Sequence, residues 1–166
     1  MALVFLSLGS NIDRKRHICA ALDALKENFG ELDVSTVYES VAVGFEGDSF
    51  YNLVAGIHSD LPIGDITKIL KHIEDCNSRD RSAPKFGPRS LDIDILTVDN
   101  LAGEFDGVSL PRSEILKNAF VLQPLAELAS GMLHPLTNKT MGEHWAEFDK
   151  QSQKLWPVAF DWEPSP

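Results

Sequence analysis

The sequence predicts an α+β sandwich of the ferredoxin-like type, with the element order β-α-β-β-α-β and a C-terminal extension. Apolar residues recur at helical spacing in two segments, 18–29 and 66–73, which indicates two amphipathic helices. Short apolar runs bounded by turn-forming residues indicate four strands, at 3–8, 33–40, 50–59 and 91–98. This order of strands and helices is typical of a ferredoxin-like sandwich.

In the first half of the chain, the strand "LVFLSL" at 3–8 turns at Gly9. In the helix that follows, Gly30 provides a C-terminal stop just beyond the last apolar residue. The apolar residues of this helix recur at 4-3-4 spacing and are Ile18, Leu22, Leu25 and Phe29. The next two predicted strands, 33–40 and 50–59, are separated by a glycine-bearing loop.

In the second half, a helix begins near Pro62, a residue suited to the first position of a helix. Its apolar face carries Ile66, Ile69, Leu70 and Ile73. A long irregular stretch, 77–90, leads to the strand 91–98. We expect a short strand or hairpin at about 104–110, a helix at about 117–130 and a less regular tail.

Composition and charge narrow the classes of function. A chain of 166 residues is long enough for a buried core, and we expect a single domain over 1–166. The net charge of −10 argues against nucleic acid and anionic membrane surfaces as partners. The lack of a long apolar run and of a basic leader favours a cytoplasmic location. Cys19 and Cys76 have no metal-ligand spacing and are expected to be reduced thiols.

The stretch 77–90 is basic in an otherwise acidic chain. Four basic residues stand against one acid, Asp80, which gives a local charge of +3; they are Arg79, Arg81, Lys85 and Arg89. Arginine guanidinium groups match phosphate oxygens with paired hydrogen bonds, so we interpret the stretch as a site for a polyphosphate. The alternative is a solvated loop whose arginines pair with surface acids.

Two aspartates lie one residue apart inside the apolar strand that follows this basic stretch. Because side chains alternate across a strand, Leu91, Ile93 and Ile95 face one way, while Asp92 and Asp94 face the other. The Cα atoms of the two aspartates are then roughly 6.5–7 Å apart, close enough for both carboxylates to reach one or two cations. Magnesium prefers such oxygen ligands and fills its remaining positions with water and phosphate. The alternative is a pair of acids that caps a neighbouring turn.

A cationic stretch next to cation-binding carboxylates is typical of phosphoryl-type transfer from a magnesium nucleotide. Such transfer depends on positioning and charge neutralisation rather than on a protein nucleophile. The sequence contains neither a GxxxxGK[ST] loop nor a GxGxxG motif, so the nucleotide site is expected to differ from the sites of those folds.

Four segments resemble the 6-hydroxymethyl-7,8-dihydropterin pyrophosphokinases. They are "LSLGSN" in the first strand, "FYN" at 50–52, "KFGPRSLDIDIL" at 85–96 and "FVLQPLAELA" at 120–129. The resemblance implies a ferredoxin-like fold and transfer of the β,γ-pyrophosphate of ATP to the pterin hydroxymethyl group. It also implies release of AMP and a role in folate synthesis. ATP is then the co-substrate and two Mg²⁺ ions are the cofactor.

The resemblance also implies a role for individual residues. The implied catalytic residues are Arg79 and Arg89, which neutralise phosphate charge, and Asp92 and Asp94, which hold the two magnesium ions. The implied ATP-binding residues are Glu74, Arg81, Ile95 and Arg112. The implied pterin-binding residues are Ser40, Val41, Val43, Phe50, Asn52, Phe86 and Phe120.

Two positions depart from the family pattern. The family usually has histidine directly after the proline at 111 and arginine six residues later, whereas this chain has Arg112 and Asn118. Both positions are expected to face ATP phosphates, and only Arg112 keeps a positive charge. These departures favour the alternative, a non-catalytic or reprogrammed pterin- or nucleotide-binding paralogue. The intact aspartate pair favours the enzyme. For the enzyme we expect a cytoplasmic monomer that acts on small molecules.

Overall fold

The computed structural model describes residues 1–40, 49–77 and 91–162. The elements of the first two segments are β1 (Ala2–Ser10), α1 (Arg14–Phe29), β2 (Asp33–Val34), β3 (Val37–Ser40), β4 (Phe50–Ser59) and α2 (Ile63–Cys76). The elements of the last segment are β5 (Asp92–Val98), β6 (Gly103–Phe105), β7 (Val108–Leu110), α3 (Ala119–Ala129), α4 (Met141–Glu147) and β8 (Leu155–Val158). A short 3-10 helix, Ser113–Leu116, precedes α3.

The main sheet has the order β5-β1-β4-β3-β8, and β2 also pairs with β4. All of these pairings are antiparallel. The first four strands in this order are those of a ferredoxin-like sandwich, with the two edge strands of that unit supplied by β5 and β3. The predicted α+β fold class is therefore confirmed.

The predicted strand 33–40 is interrupted at Ser35. The Ser35 N–H donates to the Val54 carbonyl at 2.9 Å, and the Val54 N–H donates to Ser35 Oγ at 2.9 Å. Because the serine hydroxyl replaces a backbone acceptor of the ladder, the strand divides into β2 and β3. The interruption leaves both parts paired with β4.

The larger hydrophobic cluster lies between the sheet and the helices α1 and α2, on what we call the α1/α2 face. The predicted apolar stripes of both helices point into it, since Ile18, Leu22, Leu25, Ile66, Leu70 and Ile73 are all buried. From the sheet, the same cluster receives Val4, Leu6, Leu8, Leu53, Ile57, Ile93 and Ile95.

The opposite surface of the sheet, the α3/α4 face, is covered by the C-terminal part of the chain. Phe5, Val54 and Leu96 pack there against Leu122 and Leu125 of α3. The tail was predicted to be less regular, but the structure shows that it forms α4 and β8. Helix α4 begins with a capping box between Thr140 and Glu143, and β8 pairs with β3. No helix in the described segments is long and apolar enough to span a membrane.

Tyr38 links the sheet to α3 through a buried phenol. Its hydroxyl donates to Glu127 Oε1 at 2.8 Å, and Thr36 donates from N–H and Oγ1 to Glu127 Oε2. Burial, together with the hydrogen bond to the Glu127 carboxylate and its negative charge, raises the pKa of Tyr38 to about 12. The folded state therefore favours the neutral phenol.

The hydrogen bond between Tyr38 and Glu127 predicts how the stability of the fold changes at alkaline pH. The neutral phenol stabilises the fold fully below the unfolded tyrosine pKa of about 10, and this contribution is lost as pH rises to about 12. Tyr38→Phe should lower the free energy of unfolding by about 1 kcal/mol at pH 8. The difference from the wild type should shrink above pH 10 in urea titrations. A difference that is equal at pH 8 and 11 would contradict the assignment.

Candidate active site

Four strand ends meet at one end of the α3/α4 face. Because the strands are antiparallel, β1 and β3 end where β4 and β5 begin. Gly9 lies opposite Asn52 on one side and opposite Asp92 on the other, and Ser7 lies opposite Asp94. Cross-strand partners share a face of the sheet, so Asn52, Asp92 and Asp94 are on the same surface. The sequence segments singled out by the resemblance thus converge.

The two aspartates have the orientation that strand alternation predicts. Leu91, Ile93 and Ile95 are 0 to 4% exposed and pack on the α1/α2 face. Asp92 and Asp94 are half-buried and point to the α3/α4 face. Neither aspartate is without an interaction partner in the structure.

Glu74, near the end of α2, is a buried carboxylate with a structural contact. Its side chain is 6% exposed, and Oε2 accepts a hydrogen bond from the Ile93 N–H at 2.9 Å. Ile93 lies between the two aspartates, on the outer strand β5. Glu74 therefore fixes the part of the backbone from which both aspartate side chains project.

The free energy of unfolding of Glu74 variants tests this positioning role. Glu74→Ala leaves the Ile93 N–H without its acceptor and should lower the free energy of unfolding by about 2 kcal/mol. Glu74→Gln keeps a neutral acceptor and should cost less than 1 kcal/mol by the same reasoning. Urea denaturation of the two variants provides the measurement. Equal losses in both would mean that the charge of Glu74, rather than its hydrogen bond to Ile93, is what matters.

Arg112 approaches the aspartates from the segment after β7. The backbone N–H of Arg112 donates to the Leu96 carbonyl at 2.9 Å, which attaches this segment to β5. The guanidinium Nη2 lies 3.5 Å from Asp94 Oδ1, and Nε lies 3.1 Å from Glu114 Oε2. A permanently charged group therefore lies against one of the two candidate metal ligands.

A cavity of about 220 Å³ lies along the outer edge of β5. Its lining contains five of the described residues to which the resemblance gives a role toward ATP or metal, namely Glu74, Asp92, Asp94, Ile95 and Arg112, but not Asn118. The Ile95 side chain is buried, so this residue can meet a ligand through its backbone. Lys71 also lines the cavity and was not among the predicted residues, because an exposed lysine on a helix gives no distinctive sequence signal.

The predicted pterin residues Ser40 and Asn52 are bonded to each other. Asn52 Nδ2 donates to Ser40 Oγ at 2.9 Å, and both side chains are buried. A Cβ atom added at Gly9 would lie 3.0 Å from Asn52 Oδ1, so a larger residue at this position would require the amide to shift. The sequence reasoning did not include Gly9 in the site, although it belongs to the "LSLGSN" segment.

A second network holds the same strand ends from the α1/α2 face. Glu39 Oε2 accepts hydrogen bonds from Arg14 Nη1 and Ser49 Oγ, both at 2.6 Å. Glu39 Oε1 accepts from Trp156 Nε1 at 2.8 Å. The hydrogen bond from Ser49 is the largest influence that lowers the pKa of the Glu39 carboxyl, with Arg14 and Trp156 adding to it. The C-terminal strand β8 thus helps to hold β3 behind Ser40.

Two aromatic residues of the predicted pterin pocket lie near this end of the α3/α4 face. Phe50 shares the face of Asn52 because it is two residues away in β4. Phe120, in the first turn of α3, is partly buried against the hydrophobic cluster of that face. Asn118 is the residue before α3, and its carbonyl accepts from the Val121 and Leu122 N–H groups at 3.0 Å.

The other predicted site residues lie outside the described residues. They are Val41, Val43, Arg79, Arg81, Phe86 and Arg89. Their assigned roles stay predictions.

The carboxylates of the described residues suit a magnesium ion that is also bound by the phosphates of a nucleotide. No group of three or more histidine, cysteine or acidic side chains in the described segments could hold a metal ion by itself. Magnesium is commonly bound by one or two carboxylates, with water and substrate phosphates as its other ligands. Asp92 and Asp94, half-buried beside a cavity, are carboxylates of this kind.

Comparison with known proteins identifies a family. The sequence model for 7,8-dihydro-6-hydroxymethylpterin-pyrophosphokinase (HPPK) matches residues 5–130. A 2-amino-4-hydroxy-6-hydroxymethyldihydropteridine pyrophosphokinase of Aquifex aeolicus is 36% identical over 146 residues, which cover 86% of this chain and 90% of that protein. The Bacillus subtilis protein of the same name is 28% identical, over 93% of this chain and 90% of its own length.

Longer proteins also contain a region similar to this chain. The folic acid synthesis protein FOL1 of Dictyostelium discoideum is 32% identical over 83% of this chain, which spans only 21% of FOL1. The crystal structure of wild-type Plasmodium falciparum HPPK-DHPS has a TM-score of 0.67 over 88% of this chain and 44% of its own, at 14% identity. That likeness shows the fold.

These comparisons decide between the two alternatives that the sequence left open. Nothing in them supports a non-catalytic paralogue. Enzymes of the HPPK family use ATP as co-substrate and depend on magnesium. The chain belongs to the 7,8-dihydro-6-hydroxymethylpterin-pyrophosphokinase family and is a pyrophosphokinase of folate biosynthesis.

Proposed function

We propose that the protein transfers the β,γ-pyrophosphoryl group of ATP to 6-hydroxymethyl-7,8-dihydropterin, and that two magnesium ions take part at Asp92 and Asp94. One observation carries the proposal. Five of the described residues with implied roles toward ATP or metal line a single cavity along the outer edge of β5. Asn52 lies across Gly9 from Asp92, so the proposed pterin pocket adjoins the proposed metal site.

In the transfer, the pterin hydroxymethyl oxygen forms a bond to the β-phosphorus and the bond from that phosphorus to the α-phosphate oxygen breaks. AMP leaves with that oxygen, and the hydroxyl proton passes to solvent. Magnesium supplies neutralisation of the phosphate charge when bound. Asp92 and Asp94 hold it, and Glu74 keeps both carboxylates in place by fixing Ile93.

The remaining described residues position the two substrates. Arg112 offers guanidinium N–H groups to the phosphates at the cavity. Asn52 gives one amide N–H to Ser40, so its Oδ1 and its second N–H are suited to the donor and acceptor edge of a pterin ring. Phe50 and Phe120 supply apolar contacts to the ring. Arg79, Arg81, Arg89 and Phe86 are assigned the roles toward phosphates, nucleotide and ring that the resemblance gives them.

We also propose that residues 1–166 form one domain that works as a cytoplasmic monomer on small-molecule substrates. Two features support a single unit. Strand β8, close to the end of the described chain, joins the same sheet as β1, and both faces of that sheet are covered by helices of the same chain. The acidic net charge of −10 supports small-molecule substrates rather than nucleic acid.

The identity of the nucleotide product tests the reaction. The protein is incubated with ATP, magnesium and 6-hydroxymethyl-7,8-dihydropterin, and the nucleotides are separated by chromatography. We expect AMP and a pterin diphosphate in equal amounts, and neither product without the pterin or without magnesium. Formation of ADP would show transfer of a single phosphoryl group, and ATP left intact would contradict catalysis of any phosphoryl transfer to this pterin.

A further inference from the structure

We propose that the Arg112 guanidinium competes with divalent metal ions for the Asp94 carboxylate. In the nucleotide-free enzyme this guanidinium pairs with the carboxylate that the metal needs, and it turns to the phosphates when metal and ATP arrive together. The inference rests on the proposed function, because it takes Asp94 as a metal ligand. Its consequence is that bare divalent cations bind weakly and that binding of metal and nucleotide is coupled.

The contacts of Arg112 divide its guanidinium between two carboxylates. Nη2 lies 3.5 Å from Asp94 Oδ1, whereas Nε lies 3.1 Å from Glu114 Oε2. The bond to Glu114 is the shorter, and it holds the inner end of the guanidinium near the cavity. The outer end can then leave Asp94 without loss of the Glu114 contact. Asp94 has further contacts besides this one, and the inference concerns the Arg112 pair alone.

The backbone of Arg112 is fixed while its side chain is accessible. Its N–H donates to the Leu96 carbonyl, and its carbonyl accepts from the Ile115 N–H. The side chains of Arg112 and Asp94 are 34% and 45% exposed. An incoming ion can therefore reach the pair, and the arginine can rotate about its own side-chain bonds without movement of β5.

Charge explains why the exchange depends on the nucleotide. A divalent cation that replaces Arg112 at Asp94 leaves the cation and the guanidinium close together, and like charges repel. The phosphates of ATP supply negative charge that both can share, so the repulsion disappears when metal and nucleotide bind together.

The test measures Mn²⁺ binding to the protein without nucleotide, by electron paramagnetic resonance of free Mn²⁺. The variants are Arg112→Gln, which removes the charge, and Arg112→Lys, which keeps it. Arg16→Gln is the matched control, because Arg16 has a side chain 71% exposed and pairs with Asp13. We expect Arg112→Gln to tighten Mn²⁺ binding by about two- to fivefold, the scale of a partly exposed ion pair. Arg112→Lys and Arg16→Gln should stay within about 1.5-fold of the wild type by the same scale.

A double-mutant cycle ties the effect to the pair. In an Asp94→Asn background, Arg112→Gln should no longer tighten Mn²⁺ binding, because the contested carboxylate is gone. ATP without metal should bind more weakly to Arg112→Gln than to the wild-type protein. Unchanged or weaker Mn²⁺ binding in Arg112→Gln, or a gain that persists in the Asp94→Asn background, would overturn the inference.

The outcome is separable from the proposed function. Wild-type protein from the same preparation is assayed for AMP formation. If AMP forms but Mn²⁺ affinity is unaffected by Arg112→Gln, the competition fails and the reaction stands. If the Mn²⁺ effect is present but no AMP forms, the competition stands and the proposed reaction fails.

Discussion

Replacing Asp92 or Asp94 by asparagine will remove nearly all pyrophosphoryl transfer while the protein stays folded. Metal stabilisation of transferring phosphates is worth several kcal/mol, and about 1.4 kcal/mol is a factor of ten in rate, so we expect a loss of about 10³-fold or more. The fold should persist because both side chains are half-buried and lie outside the two hydrophobic clusters. Loss of one of two neighbouring like charges also removes a repulsion.

The measurement is magnesium-dependent AMP formation together with a thermal unfolding midpoint for each variant. Asp60→Asn is the matched control, because Asp60 follows the far end of β4 and its side chain is 76% exposed. The control should keep wild-type activity. Near-normal AMP formation in either Asp92→Asn or Asp94→Asn would mean that the carboxylate is not a metal ligand.

The second large effect concerns the two departures from the family pattern. Arg112→Ala should lower kcat/KM for ATP by about tenfold, because it removes a charge-assisted contact to phosphate worth about 1.5 kcal/mol. Asn118→Arg should raise kcat or ATP affinity severalfold, since it restores a positive charge beside α3. The Asn118 carbonyl accepts the first hydrogen bonds of α3 in either variant, so the helix start is kept.

Steady-state kinetics with ATP varied at saturating pterin distinguish these outcomes, and Arg16→Ala controls for loss of an exposed arginine. Arg112→Ala with unchanged kinetics, together with a silent Asn118→Arg, would show that neither position faces ATP. The cavity along β5 would then hold a different part of the substrate. A gain from Asn118→Arg alone would place the nucleotide nearer α3 than Arg112.

The site could be predicted from sequence where local periodicity decides the outcome. Asp92 and Asp94 interrupt an apolar run, and alternation along one strand is enough to place both on the face opposite Ile93. The hairpin near 104–110 was also predictable from local sequence, in this case from its turn residues. Asp106 and Gly107 both have positive φ, the conformation that an Asp-Gly turn between short strands prefers.

Other features depend on contacts between residues far apart in the chain. The interruption of the strand at Ser35 is caused by its hydrogen bonds to Val54, 19 residues away. The pair of Arg112 with Asp94 arises only because the segment after β7 returns to β5. Strand β8 contains Pro157 and has little local strand signal, yet it pairs with β3 at the outer side of the described sheet, where a proline is tolerated.

A crystal structure of the complex with a non-hydrolysable ATP analogue, magnesium and 6-hydroxymethylpterin tests the central claim most directly. The account predicts magnesium coordinated by carboxylate oxygens of both Asp92 and Asp94 and by phosphate oxygens, with the pterin beside Asn52. It also predicts that the Arg112 guanidinium has moved from Asp94 to the phosphates. Magnesium bound without either aspartate, with Arg112 still paired to Asp94, would contradict it.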